Sequence, residues 1–172
     1  ECDDGYTGDL CQYPMCAERN STDPEVCSGN GRCDYPDICI CNLRYTGSYC
    51  EHLVCFGTSA NSSEVCSGHG SCQDYNECVC GKGYTGAKCD VPICFNFTAV
   101  DSSVCSTNGV CTGHNQCECR SGYVGVECEL QTCFGYNQTD ERVCHARGVC
   151  TEPDRCVCSE GYTGVNCQIT MC

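Results

Sequence analysis

The sequence has no tryptophan, four phenylalanines and two methionines in 172 residues. That is too little apolar mass for one large core. It has no run of 18 apolar residues and no signal-like stretch. This piece is therefore not expected to span or enter a membrane by itself, and any signal peptide or anchor is expected outside it. Positive charge is scarce as well, with nine Lys and Arg against 23 Asp and Glu and a net charge of -14. Such a balance disfavours nucleic acid and simple adsorption to anionic lipid, and acidic residues spread along the whole chain read as a solvated surface. Four scattered histidines and no recurrent nucleophile-base arrangement argue against an enzyme, and nothing implies a cofactor.

What is abundant is cysteine, 27 residues, together with 19 glycines. Cysteine at this density marks a disulfide scaffold, and disulfides persist in an oxidising compartment: the secretory pathway, the cell surface or the medium. A metal-thiolate protein would show zinc-type pairs such as C-x2-C. The intervals here are ten, five, five, one and eight residues, so no metal site is expected.

Cysteines fall at 16, 27, 33, 39, 41 and 50, then again at 55 to 89, 94 to 128 and 133 to 167, each set offset from the last by 39 residues without insertion. Cys2 and Cys11 form the tail of an earlier unit, and Cys172 sits where a further unit would open. The implied division is 1–11 as the end of a unit, 12–50, 51–89, 90–128 and 129–167 as complete units, and 168–172 as the start of another. A unit of about 40 residues cannot offset chain entropy by burial, so cross-links must do it. Closing loops of roughly 10 to 18 residues contributes about 2.5 to 3 kcal/mol each on the chain-entropy model. Six cysteines allow 15 pairings, among which spacing alone does not choose.

Within each unit the S-G-N-G, S-G-H-G, S-T-N-G and H-A-R-G stretches put Gly at one fixed place, which suggests a tight turn needing positive φ there. His69 reads as a turn residue, since Asn30, Asn108 and Arg147 hold its place elsewhere. The C-x-C pair suits a short strand, so two-stranded antiparallel ribbons with loops between them are expected. Tyr6, Tyr45, Tyr84, Tyr123 and Tyr162 recur at one position and read as packing against the following unit. The four-residue connectors QYPM, EHLV, DVPI, ELQT and QITM are too short to flex, so one tilt and twist should repeat, giving an elongated rod or helical superstructure. Arg44 departs from the Gly of the other repeats at Gly5, Gly83, Gly122 and Gly161, which puts that turn's geometry in question.

The pattern C-x10-C-x5-C-x5-C-x-C-x8-C, closing on C-x2-G-Y-x-G-x2-C, resembles the epidermal growth factor-like (EGF-like) module over the whole chain. The resemblance implies a small disulfide-rich fold of tandem modules with short two-stranded antiparallel hairpins. It also implies pairing of first to third, second to fourth and fifth to sixth cysteines. That gives Cys16–Cys33, Cys27–Cys39 and Cys41–Cys50; Cys55–Cys72, Cys66–Cys78 and Cys80–Cys89; Cys94–Cys111, Cys105–Cys117 and Cys119–Cys128; Cys133–Cys150, Cys144–Cys156 and Cys158–Cys167; and Cys2–Cys11. Cys172 would lack its partner. Calcium-binding members carry an acidic D-x-D-E cluster before the first cysteine. Here that place holds QYPM, EHLV, DVPI or ELQT, and the loop before the fourth cysteine reads as lacking the matching Asn/Asp and aromatic, so specific calcium binding is not implied.

Asn20, Asn61, Asn96 and Asn137 are N-glycan acceptor sequons, all between the first and second cysteines of their units. The resemblance further implies O-linked sugar at Thr7, Thr85 and Thr163, at Thr46 apart from its Arg44 context, and at Ser71, which matches the O-fucose context; Val124 breaks the series. Repeats of the form C-F-G, as at Cys55-Phe56-Gly57 and Cys133-Phe134-Gly135, with the S-G-H-G turn, are similar to those of protist surface proteins, including flagellar hairs (mastigonemes). The function expected is a structural extracellular glycoprotein, the shaft of a surface fibre, filament or stalk. It would associate with itself or with other extracellular structural proteins. The alternative is an adhesion or receptor ectodomain similar to tenascin or teneurin arrays.

Overall fold

The computed structural model describes residues 2–171, so Cys172 lies outside the described residues. The chain divides into two compact units, Glu1–Lys82 with Gly86–Asp90, and Gly83–Thr85 with Val91–Cys172. Each is built from the same elements. In the first complete module, Gly31–Tyr35 and Ile38–Cys41 form an antiparallel hairpin with Gly31 opposite Cys41 and Cys33 opposite Cys39. The facing cysteines do not join each other. Cys33 is bonded to Cys16 and Cys39 to Cys27, which ties the hairpin to two preceding segments, while Cys41–Cys50 closes the last loop.

The same first-to-third, second-to-fourth, fifth-to-sixth pairing runs through the other modules. It comprises Cys55–Cys72, Cys66–Cys78 and Cys80–Cys89, Cys94–Cys111, Cys105–Cys117 and Cys119–Cys128, and Cys133–Cys150, Cys144–Cys156 and Cys158–Cys167. Cys2 is bonded to Cys11. The core of a module is little more than these sulfurs and one valine. Cys16, Cys27, Cys33 and Cys50 are buried around Val26, and the pattern repeats around Val104 and Val143. No polar or charged side chain is buried among the described residues.

Sheets are not all two-stranded as the spacing suggests. Tyr45–Thr46 pairs with the connector His52–Cys55, which pairs in turn with Thr58–Ser59, so the connector is the middle strand of three. In the second unit Tyr84–Thr85, Val91–Cys94 and Phe97–Thr98 repeat the arrangement. The third strand escapes the C-x-C reading because it is only two residues long and carries no cysteine. Proline at Pro14 and Pro92 is tolerated in this central strand, where it would ordinarily remove a ladder bond. The joining bond is donated by the next residue in every junction, with or without proline: Met15 N–H to Gly5 C=O at 2.8 Å, Ile93 N–H to Gly83 C=O at 2.8 Å and Val54 N–H to Arg44 C=O at 2.9 Å.

The recurrent Gly of the S-G-N-G turn corrects a second expectation. Gly31 does not have positive φ; a Cβ on it would lie 2.6 Å from the Ile40 carbonyl oxygen and 2.7 Å from Cys50 Sγ. Glycine is required there by close approach of the C-x-C strand and the last disulfide, rather than by turn conformation. The left-handed residues come just before it, at Cys27 (φ 54), Ser28 (φ 58) and Gly29 (φ 70). In the second unit Thr107 (φ 68) and Ala146 (φ 58) take the third place of that run.

Candidate functional site

The recurrent tyrosine serves its own module first. Tyr45, Tyr123 and Tyr162 pack against the disulfide cluster of the module that contains them. The contact with the next module is made by backbone: Tyr45 is paired with Leu53, and Val54 N–H donates to Arg44 C=O at 2.9 Å. One side-chain contact seats the junction. The Gly5 turn lies under Pro36, Gly122 lies under Pro153 and Gly83 under His114, so close that a Cβ on Gly5 or Gly122 would stand 2.5 Å from the proline Cβ.

Arg44 takes this place in the remaining junction of the first unit. Gly5, Gly83, Gly122 and Gly161 all have φ between 85 and 90°, whereas Arg44 is outside the left-handed region. The turn still closes, with Tyr45 N–H bonded to Asn42 C=O at 2.9 Å. Its third residue, however, has left the positive-φ conformation that type II turns require. The apposed residue is then Tyr75, and the Arg44 guanidinium sits 5.8 Å from its ring centroid.

Each module also carries a clamp that corrects the reading of the loop before the fourth cysteine as lacking Asn or Asp: an Asp or Asn stands two residues before every fourth cysteine. Asp37, Asn76, Asn115 and Asp154 adopt φ of 54 to 58°. Their side-chain oxygens accept the N–H of Ala17, Phe56, Phe95 and Phe134 at 2.6 to 3.1 Å. These donor residues are left-handed too, with φ of 48 to 51°. That is rare for a bulky residue and persists only where surroundings enforce it.

The sequons lie on the loop after this clamp. Asn20 and Asn137 hold the same geometry: Oδ1 of Asn20 accepts Thr22 N–H and Oγ1–H at 2.9 and 2.6 Å, and Asn137 does the same with Thr139 at 2.9 and 2.7 Å. Asn61 differs, accepting Ser59 Oγ–H at 2.7 Å with its Nδ2 3.0 Å from His52 Nε2. Asn96 is exposed and left-handed at φ 72. Thr7, Thr46, Thr85 and Thr163 sit on the two-residue strands that pair with the connectors. Exposed Ser71 lies in a hairpin strand and accepts Gln73 Nε2–H at 2.9 Å. His69 caps its turn, its N–H bonded to Cys66 C=O at 3.0 Å and its own C=O to Gly81 N–H at 2.7 Å.

The sulfurs of Cys16, Cys27 and Cys39 lie within 4.8 Å of one another, as do their counterparts in the other modules. Every one of them is in a disulfide, so none offers the thiolate a zinc site needs. Electrostatics is confined to the surface. The Asp140 carboxyl is held at about 2 by its side-chain bond from Arg142, aided by the Arg142 N–H. Asp23 is lowered chiefly by the Glu25 N–H.

Open grooves recur at one register position. An open groove of about 590 Å³ is lined by Arg19, Glu25, Tyr49 and Glu51 together with the left-handed run. The corresponding groove of the next module holds Phe56, Glu64 and Lys88, and that of the fourth complete module Tyr136, Glu141 and Arg142. Sequence reading missed these grooves because their walls come from three separate loops.

Comparison with known proteins places these features. The model of the teneurin-like EGF domain matches residues 63–92 and 141–170, windows two repeats apart. No curated protein matches the chain. Among solved structures, the Drosophila C2-DSL-EGF1 structure is 30% identical, with a TM-score of 0.29, over 51% of this chain and 32% of that one. The matched windows and the three-disulfide pairing that repeats in every complete module fit a tandem array of EGF-like modules.

Proposed function

We propose that this array is the shaft of a surface fibre or stalk, a structural extracellular glycoprotein that associates with itself or with other structural proteins outside the cell. EGF-like modules are typical of extracellular structural and adhesion-type ectodomains and are typically non-enzymatic. The observation that carries the finer reading is the junction. Within each unit the last turn of one module is hydrogen-bonded into the first strand of the next, as in Tyr45–Thr46 with His52–Cys55 and Tyr123–Val124 with Leu130–Cys133. A joint made of paired strands resists bending where a flexible linker does not. Repetition without insertion keeps the spacing of the joints alike, and N-glycans on Asn20, Asn61, Asn96 and Asn137 would coat the shaft at intervals.

A second reading, an adhesion or receptor ectodomain that binds a protein partner, is favoured by the teneurin-like match. Electron microscopy of the native, unreduced glycoprotein separates the two. Ordered filaments with an axial repeat traceable to the 39-residue unit support the shaft. Isolated, variably bent chains of beads overturn self-assembly and favour the ectodomain.

A further inference from the structure

We infer that the recurrent groove is a carbohydrate-binding site, repeated along the array, that takes a neutral pyranose ring. The three grooves share a register but not a lining, yet each combines an aromatic ring, a cation and a carboxylate. In the first complete module these are Tyr49, Arg19 and Glu25; in the second, Phe56, Lys88 and Glu64; in the fourth, Tyr136, Arg142 and Glu141. The ring comes from a different strand or loop each time. The same chemistry has been assembled by different residues around one concavity.

The cations are already neutralised or engaged. Arg19 pairs with Asp23 at 3.1 Å and Glu25 at 2.9 Å, Arg142 pairs with Asp140 at 2.9 Å, and Lys88 lies 5.2 Å over the Phe56 ring. In the first and fourth modules an anion would meet guanidinium groups already paired with carboxylates, and an apolar ligand would have to strip water from guanidinium and carboxylate groups. A ring with one C–H face and a rim of hydroxyls meets both surfaces at once: in the first groove the face lies on Tyr49, in the other two it lies beside a ring already stacked by Lys88 or, at 4.6 Å, by Arg142, and the hydroxyls donate to carboxylate and accept from guanidinium. Volumes of about 590, 300 and 160 Å³ suit one or two sugar rings rather than a folded partner.

Two further observations point the same way. Phe56, held by the Asn76 side chain, remains 37% exposed and forms one wall of its groove. Arg19–Asn20 and Tyr136–Asn137 are two-residue strands. Successive strand residues face opposite sides, so with Arg19 and Tyr136 in the grooves, the sequon asparagines point away and a glycan on either leaves its groove open. Three weak sites along one chain would engage a sugar-coated surface with avidity.

The test is an NMR titration of the full, isotope-labelled, disulfide-intact chain after enzymatic removal of N-glycans, using N,N′-diacetylchitobiose, methyl α-mannopyranoside and, separately, an acidic peptide. Sugar-dependent shifts confined to the Arg19, Phe56 and Tyr136 loops, with dissociation constants of about 1 mM, are expected for single shallow sites. Glu141→Gln, at an exposed residue, should weaken the fourth-module response about tenfold, the loss of one charged contact, and leave the other two unchanged. Tyr49→Leu provides a second variant confined to the first groove. Absence of groove shifts at saturating sugar overturns the inference, as does a groove that answers to the acidic peptide and not to sugar. Neither readout depends on filament formation, so failure here and failure of the shaft reading are separate results.

Discussion

The two junctions that differ most are Arg44 against Tyr75 in the first unit and Gly122 against Pro153 in the second. In the second, a left-handed glycine at φ 88 makes room for a proline ring that would lie 2.5 Å from its Cβ. In the first, the arginine backbone leaves the left-handed region and its guanidinium faces the tyrosine ring instead. The backbone bond is the same in both: Val54 N–H to Arg44 C=O at 2.9 Å and Thr132 N–H to Gly122 C=O at 2.8 Å. The joint therefore resides in strand pairing, and the side chains above it can be exchanged as a pair.

The largest expected effect erases the comparison. Replacing Cys133 and Cys150 with alanine removes the bridge that ties the connector to the hairpin. It should cost about 2 to 5 kcal/mol and unfold that module, read as new protease cleavage between residues 129 and 167; the matching change at Cys55 and Cys72 should do the same in the first unit.

Gly122→Arg places a side chain where φ is 88 and Pro153 is in contact. A loss of about 1 to 3 kcal/mol is expected, the range for a strained left-handed residue, measured by thermal unfolding of the chain. Adding Pro153→Tyr should recover part of it if the pair is the unit of exchange. No recovery would show that the Arg44 turn needs more than its partner.

A smaller effect sharpens another contrast between the units. Gly29 and Gly68 occupy the left-handed run in the first unit, Thr107 and Ala146 in the second. Thr107→Gly should stabilise its module by up to about 1 kcal/mol, the penalty for a Cβ in that conformation less the entropy glycine brings to the unfolded chain, seen as a higher Tm.

The smallest is electrostatic. The Asp140 carboxyl titrates at about 2 against 3.8 ordinarily, because Arg142 holds its charged form. A depressed carboxyl contributes stability that is present above its unfolded value and lost as pH falls from about 4 towards 2. The carboxyl is at the surface, so the effect on unfolding is small. NMR titration should place the midpoint near 2 in the native chain and nearer 3.8 in Arg142→Gln.

The hairpins were legible because they depend on neighbours in sequence: C-x-C strands and short loops between cysteines. The clamp at Asp37, Asn76, Asn115 and Asp154 was equally visible as spacing, but its donor lies 20 residues earlier in the chain. Gly31 was read as a turn glycine because its chain neighbours form a turn, whereas its requirement comes from Ile40 and Cys50, nine and 19 residues away. Tyr45 serves both modules for a related reason. Its strand belongs to the joint and its ring to the core.

The 39-residue period, the oxidising setting and the reliance on cross-links follow from sequence by itself, since cysteine number and spacing determine how short a loop each bridge closes and how little core is needed. Which glycine is forced by contact, how Arg44 and Tyr75 replace Gly and Pro, and where aromatic, cation and carboxylate converge were decided only by the tertiary structure. These depend on distances between loops that the disulfides bring together, and such distances have no signature in the order of residues.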